Sequence, residues 1–258
     1  MTDNPTDRRS SIAAAFGRAR GYAEAATIQQ AAADDLVRRL DGLVLPRHPA
    51  ILELGCGTGF LTRSLARAIG PARWTVSDIA PEMVERARVA LGLAADYRVI
   101  DGEAVDPMLG RFNLIVSNMA FQWFSDLGGA IARLADLMAP GGTLAYSTMA
   151  AGSFNEWSRA LADEGLPSGT PAYPDHDALA ALVPPGWSAH VEVVDFRQAQ
   201  PDARAFLRRL KAIGAATPAA DYRPVPGVAL RRAMARFDAG PRITTYRIGF
   251  CLLTRISG

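Results

Sequence analysis

The sequence predicts an α/β fold: a doubly wound, mostly parallel sheet with helices on its faces and extra helical pieces at the start and late in the chain. Three observations predict it. Short apolar, strand-like runs alternate with helix-period segments between residues 51 and 147. The first run, Ile51 to Leu54, passes through the glycine turn GCGTG into a helix-period stretch from Phe60 to Ile69. An acid, Asp78, stands at the tip of the second run, 19 residues after Gly59. The chain has 258 residues, 49% of them apolar, which is enough for one well-buried domain expected over 1–258.

The elements follow in order. Residues 8–45 read as helical, with apolar residues at three- and four-residue spacings, a break at Gly21 and a close at Pro46 to Pro49. Strand one is Ile51 to Leu54, and Gly70-Pro71 stops the helix after it. Strand two is Trp74 to Ser77. Pro81 opens a helix to about Leu91, at the first-turn position proline favours. Strand three is Tyr97 to Ile100, followed by the loop Asp101-Gly102-Glu103. Strand four, Phe112 to Ser117, is an apolar run suited to burial on both faces. A helix from Leu127 to Met138 is expected to end at Pro140-Gly141-Gly142, with strand five at Thr143 to Ser147. A helix from Phe154 to Glu164, a short helix near Leu179, strand six at Val191 to Phe196 and a last strand at Thr244 to Leu253 complete the reading. Residues 201–240, two Arg-rich helices around a proline-rich loop, separate those last strands and are too long for a hairpin loop. They read, with 8–45, as a helical cap over a ligand site, or as decoration that only stabilises the sheet.

A strand that turns through glycines into a helix leaves backbone N–H groups free at a ligand-binding switch point. Gly55, Gly57 and Gly59 let backbone approach a ligand where a Cβ would clash. Asp78 is placed to accept hydrogen bonds from ribose hydroxyls, so an adenosine-bearing cofactor is expected. The glycines alternate as G-x-G-x-G, unlike the dinucleotide G-x-G-x-x-G, and Glu53 precedes them. This pattern resembles motif I of the class I S-adenosylmethionine-dependent methyltransferases. The resemblance implies a Rossmann-like sheet with an antiparallel last strand and S-adenosylmethionine as cofactor. It also implies that Glu53, Gly55, Gly57 and Gly59 wrap the amino-acid end of the cofactor, with Asp78 and Ile79 at the ribose. Asp101, Gly102 and Glu103 match positions facing the adenine, and Asn118 the place where acceptor meets methyl donor. Asp and Asn at such positions also cap loops and form turns.

Further segments narrow the resemblance. IAAAFGRARGYAEAATIQQAAADDL near the start, SNMAFQWFSDLGGAI at 117–131, GSFNEW at 152–157, FLRRLKAIGA at 206–215 and TYRIGF at 245–250 closely resemble the malonyl-acyl carrier protein O-methyltransferases of biotin synthesis. The likeness runs over nearly the whole chain. It implies methyl transfer to the free carboxylate of a malonyl thioester on acyl carrier protein or coenzyme A. A carboxylate is already nucleophilic at neutral pH, so no general base is needed. Tyr22, Gln122 and Trp123 are implied to line the acceptor pocket, although Tyr22 and Trp123 read equally well as core aromatics. Lys211, with Arg208 or Arg209, is the candidate to orient the malonyl group. Methylation of another small acid or ring remains open on fold alone. So does a relative of the complex I assembly factors linked to arginine hydroxylation. Asn113 stands where related enzymes often carry Asp, at the strand start away from the cofactor.

Composition bounds the rest. The net charge of +2 does not argue for nucleic acid, and 27 of the 28 basic residues are arginine, with Lys211 the single lysine. Cys56 and Cys251 make no disulfide framework, and His48, His176 and His190 show no ligand spacing, so no metal site is expected. The opening MTDNPTDRRSS has no apolar h-region and no membrane-length run follows, so a cytoplasmic protein without membrane partners is expected.

Overall fold

The computed structural model describes residues 5–17, 26–213 and 226–256. Helices α1 (Pro5–Gly17) and α2 (Thr27–Arg39) precede strand β1 (Ala50–Leu54). The βα alternation then runs α3 (Phe60–Ile69), β2 (Arg73–Asp78), α4 (Pro81–Leu91), β3 (Ala95–Val99), β4 (Phe112–Asn118), α5 (Leu127–Asp136) and β5 (Met138–Met149). The later chain holds α6 (Asn155–Ala162), α7 (His176–Ala180), β6 (Trp187–Ala199), α8 (Ala203–Ala212), α9 (Gly227–Ala239) and β7 (Ile243–Arg255).

All seven strands join one sheet in the order β3-β2-β1-β4-β5-β7-β6. β1 lies between β2 and β4, parallel to both, with Ile51 opposite Trp74 on one side and Leu114 on the other. Every β1 residue is buried, which is why its run is apolar apart from Glu53. The chain winds outward from β1 through β2 to β3 and then returns to β4, so the order reverses between β1 and β4. That reversal is the switch point at which open α/β sheets bind ligands, at the carboxyl ends of the strands. The last two strands run antiparallel. Ala150 N–H reaches Arg247 O while the hydroxyls of Thr143 and Thr254 meet at 3.0 Å, so numbering rises on β5 as it falls on β7. Gln200 with Arg242, and Gly186 with Ile256, show that β6 and β7 are antiparallel to each other as well.

Local chemistry sets the helix ends. α4 starts at Pro81 and stops at Gly92, left-handed at φ 57°, whose N–H bonds Arg88 O at 3.2 Å. Asp126 caps α5 by accepting the Gly129 N–H at 2.8 Å.

Several boundaries differ from the sequence reading. β5 begins at Met138, not Thr143, and α5 ends at Asp136. The Pro-Gly-Gly segment does not stop the chain but is absorbed as a bulge: Met138 pairs with Phe112 and Thr143 with Leu114. β3 covers Ala95–Val99 instead of 97–100; none of its residues is buried, so no burial pattern marks its ends. α2 stops at Arg39, short of residue 45, in the turn that carries Gly42 at φ 81°. α6 starts after Phe154, which takes a left-handed φ of 59° as the cap.

The chain forms two compact units. One comprises residues 1–28, 149–174 and 194–248; the other 29–148, 175–193 and 249–258. The first is organised by an aromatic cluster in which Phe154 meets Tyr246 edge-on at 4.7 Å and Phe206 at 5.5 Å, with Trp157 and Phe237 behind. The second holds the glycine turn, over an apolar core that includes Leu52, Leu54, Ile115, Phe121, Leu144 and Tyr146.

Candidate functional site

The carboxyl ends of β1, β2 and β4 bring Glu53, the glycine turn, Asp78 and Asn118 into the same unit. The turn is folded by backbone bonds: Cys56 N–H reaches Ser77 O at 2.9 Å and Gly59 N–H reaches Cys56 O at 2.8 Å. Gly55 has φ 71°, and a Cβ there would lie 2.5 Å from the Cβ of Ala120. Only glycine allows that closeness and that backbone together. The Asp78 carboxylate then ties β2 to the turn. Its Oδ2 accepts the Gly57 N–H at 2.9 Å and its Oδ1 the Ala80 N–H at 2.9 Å. Ile79, between them, also bonds this carboxylate through its backbone.

Glu53 is buried at 1% exposure, and one of its oxygens accepts the Thr62 hydroxyl. Burial, reinforced by the Asp78 charge, pushes its pKa up to about 8, against bonding from Thr62. Burial raises Asp78 as well, opposed by the N–H groups of Ala80, Gly57 and Ile79. Cys56 is buried and its thiol is raised by burial and by both carboxylates, which makes it a poor thiolate.

Two expected ligand-facing residues hold loops. Glu103 is 4% exposed, and its Oε1 accepts the N–H groups of Ser125 and Asp126, each at 2.7 Å. Asn118 accepts from the Ser147 hydroxyl at 2.7 Å and donates to Gln29 O at 2.9 Å, joining β4 to β5 and α2. Asp101 accepts the Glu103 N–H at 2.9 Å. A Cβ on Gly102 would lie 2.6 Å from Phe124 Cζ, so the ring would have to move to admit one. Gln122 and Trp123 lie in the one-turn 3-10 helix Phe121–Trp123, and Gln122 donates to Met119 O at 2.7 Å. Met119 carries a left-handed φ of 55°, which aims this turn. Asn113 accepts the Ala50 N–H at 2.9 Å, fixing the start of β1 and not the site.

Among the described residues six buried polar atoms of this unit lack hydrogen-bond partners, and three of them, Glu53 Oε1, Thr58 Oγ1 and Gln122 Oε1, belong to the site's strand and turns. Buried polar atoms are nearly always paired, so orphans on the turn, the strand beneath it and the turn after β4 fit a bound polar ligand. Thr58 and Thr62 escaped the sequence reading. Thr62 carried a signal, a threonine between Leu61 and Leu65 on the buried face of α3.

Lys211 lies on α8 in the other unit and is exposed, as is Arg208, whereas Arg209 is partly buried. Arg209 Nη1 is 3.5 Å from Thr27 Oγ1. Burial pushes the Tyr246 phenol up to about 12, and the nearby Arg209 guanidinium pulls it back. Tyr22 lies outside the described residues. Among the described residues no group of three or more His, Cys, Asp or Glu is arranged to hold a metal ion, and no helix is long and apolar enough to cross a membrane.

The methyltransferase-domain family matches residues 51–142, the segment that builds the turn and its acids. A malonyl-[acyl-carrier protein] O-methyltransferase from Magnetococcus marinus is 37% identical over 96% of this chain and 94% of its own length. The chain belongs to the malonyl-[acyl-carrier protein] O-methyltransferase family. The biotin biosynthesis bifunctional protein BioCD of Bordetella avium is 43% identical over 97% of the chain, which spans about half (53%) of that longer relative. A plantazolicin methyltransferase solved with SAH shares the fold at TM-score 0.55 and 12% identity, covering 96% of this chain and 95% of that one. In this family member the methyltransferase-domain match ends at residue 142, within β5, so the likeness to the Magnetococcus and Bordetella proteins extends well beyond it.

Proposed function

We propose that this chain methylates the free carboxylate of malonyl-acyl carrier protein, giving the methyl ester that primes pimeloyl synthesis for biotin. The observation that carries this reading is family membership across nearly the whole chain, with the glycine turn and its acids intact. The orphaned Glu53, Thr58 and Gln122 oxygens support S-adenosylmethionine as the ligand of that turn. When bound, it supplies an activated sulfonium methyl, the hard part of the chemistry.

The chain then has to bind, orient and exclude water. Glu53 and the Gly55–Gly59 turn hold the amino-acid end, whose cationic ammonium would favour ionisation of the buried Glu53 carboxyl. Asp78 and Ile79 take the ribose, with the Asp78 carboxylate already aligned by the Gly57 and Ala80 amides. Asp101, Gly102 and Glu103 form the adenine side, Glu103 by locking the 125–126 loop. Asn118, Gln122 and Trp123 border the acceptor, and Tyr22 joins them on the family pattern. Arg209 and Lys211 are the cations assigned to the malonyl carboxylate, which needs a donor to be held without prohibitive desolvation. No side-chain base takes part, because a carboxylate nucleophile arrives deprotonated. The setting is cytoplasmic biosynthesis, with the malonyl group on carrier protein in preference to coenzyme A. Methyl transfer to malonyl-, acetyl- and succinyl-loaded carriers, read by mass spectrometry, tests the assignment.

A further inference from the structure

We propose that Thr62 is a positioning residue of the cofactor site: its hydroxyl fixes the Glu53 carboxyl so that the second oxygen stays available to the ammonium of S-adenosylmethionine. The proposal rests on the assignment of Glu53 to the amino-acid end of the cofactor and adds the residue that makes Glu53 fit for it. Side chains alternate along β1, with Leu52 and Leu54 in the apolar core, so Glu53 points to the opposite face of the sheet. There Thr62, fully buried near the start of α3, donates its hydroxyl to Glu53 Oε2, and its backbone N–H bonds the same carboxylate. Glu53 Oε1 is buried without a partner. One oxygen is held from the helix and the other is left open.

Packing alone does not explain this pair. Thr62 shares the buried face of α3 with Leu61 and Leu65, where valine would have the same shape and no polar group to satisfy. The tie between strand and helix needs only the Thr62 N–H, one of the free donors of a first helical turn. What the hydroxyl adds is direction, because two donors from one residue fix which oxygen of the carboxyl is occupied. Its donation also favours the ionised form, against the burial that opposes it. Among the described residues, the titratable groups that interact with this carboxyl are Asp78 at the end of β2, Cys56 in the turn and Tyr97 on β3, and none of them is a cation. Arg63, the next residue on α3, reaches Ala90 O instead. A carboxylate buried in this way with one oxygen unpaired calls for a cation from outside the chain, which the amino-acid end of the cofactor supplies.

Calorimetric titration of the apo protein with S-adenosylmethionine, between about pH 5.5 and pH 7.5, tests the proposal. The proteins compared with wild type are Thr62→Val, Thr62→Ser, Glu53→Gln and the double variant Thr62→Val with Glu53→Gln. The cofactor's own amino group titrates at about pH 8 alike in every titration, so this acid range reports on the chain. At about pH 7, Thr62→Val should raise the Kd about ten-fold, and Thr62→Ser, which keeps the hydroxyl, by no more than about two-fold. The gain in affinity as pH rises should shift upward by about half a unit or more in the valine variant and stay in place in the serine variant. On the Glu53→Gln background, Thr62→Val should cost no more than about a further two-fold. Should the valine variant not fold, Thr62→Ala takes its place under the same expectations. Wild-type affinity in Thr62→Val, equal losses in valine and serine, or an undiminished loss on the Glu53→Gln background would overturn the proposal. Normal binding by Glu53→Gln would overturn the Glu53 assignment and the role of Thr62 with it. Cofactor binding needs no acceptor, so a wild type that binds S-adenosylmethionine yet methylates no malonyl carrier would overturn the proposed function and leave the Thr62 comparison intact.

Discussion

Asp78 at the end of β2 accepts the backbone N–H of Gly57 at 2.9 Å, so the acid of one strand holds open the turn of the next. The same carboxylate holds the Ala80 N–H at 2.9 Å, and both donors depend on it inside a buried site. Asp78→Ala should therefore do two things at once. It should weaken S-adenosylmethionine binding by at least about ten-fold in calorimetric titration, and destabilise the apo protein by about 1–3 kcal/mol for the amides left unpaired. Asp78→Asn keeps one acceptor oxygen and should fall between wild type and alanine in both.

Glu53 predicts a pH dependence. Its pKa is about 8 in the folded chain against 4.5 as the reference, so between those values the folded state binds the extra proton. Stability from this group is thus present below about pH 4.5 and falls as pH rises towards about 8. Glu53→Gln, neutral throughout, should flatten that decline. Thermal melts of apo wild type and variant between pH 5 and 8.5 check it; parallel curves would show that Glu53 does not titrate there.

Gly102 shows how much of the site was legible in the sequence. The strand, glycine turn and Asp78 are local signals, carried by spacing within some 30 residues, and they stand where the pattern placed them. Gly102, Glu103 and Asn118 were equally visible, but their structural duties depend on partners far along the chain. Phe124 needs the space above Gly102, Ser125 and Asp126 need the Glu103 carboxylate, and Gln29 and Ser147 need Asn118. Those pairings span 22 to 89 residues, and no periodicity reveals them. The start of β5 was hidden for a related reason: Pro140-Gly141-Gly142 carries turn chemistry, yet pairing with β4 keeps it in the sheet as a bulge.

Gly102→Ala should consequently destabilise the fold by about 1–3 kcal/mol, because the new methyl meets the Phe124 ring. Combined with Phe124→Ala, the loss should be less than the sum of the two single changes, as expected for residues that share one space. Chemical denaturation of the four proteins in this cycle measures the coupling. Strict additivity would show that the contact carries no weight.

Of the two cations proposed for the malonyl carboxylate, Arg209 is partly buried near Tyr246, while Lys211 is exposed. A cation shielded from water holds a carboxylate more strongly than a solvated one. Arg209→Ala should raise the KM for the malonyl carrier by about ten-fold or more, and Lys211→Ala by a few-fold, with S-adenosylmethionine affinity unchanged in both. Equal effects would assign the two cations equal shares. Loss of cofactor affinity in Arg209→Ala would remove Arg209 from the acceptor.

The most direct test of the whole account is methyl transfer itself. Purified protein is incubated with methyl-labelled S-adenosylmethionine and with carrier protein bearing malonyl, acetyl or succinyl groups, and each carrier is weighed by mass spectrometry. One methyl added to the malonyl carrier, none to the acetyl carrier and little to the succinyl carrier is the predicted outcome. Bound cofactor with no methyl on any of the three carriers would contradict it.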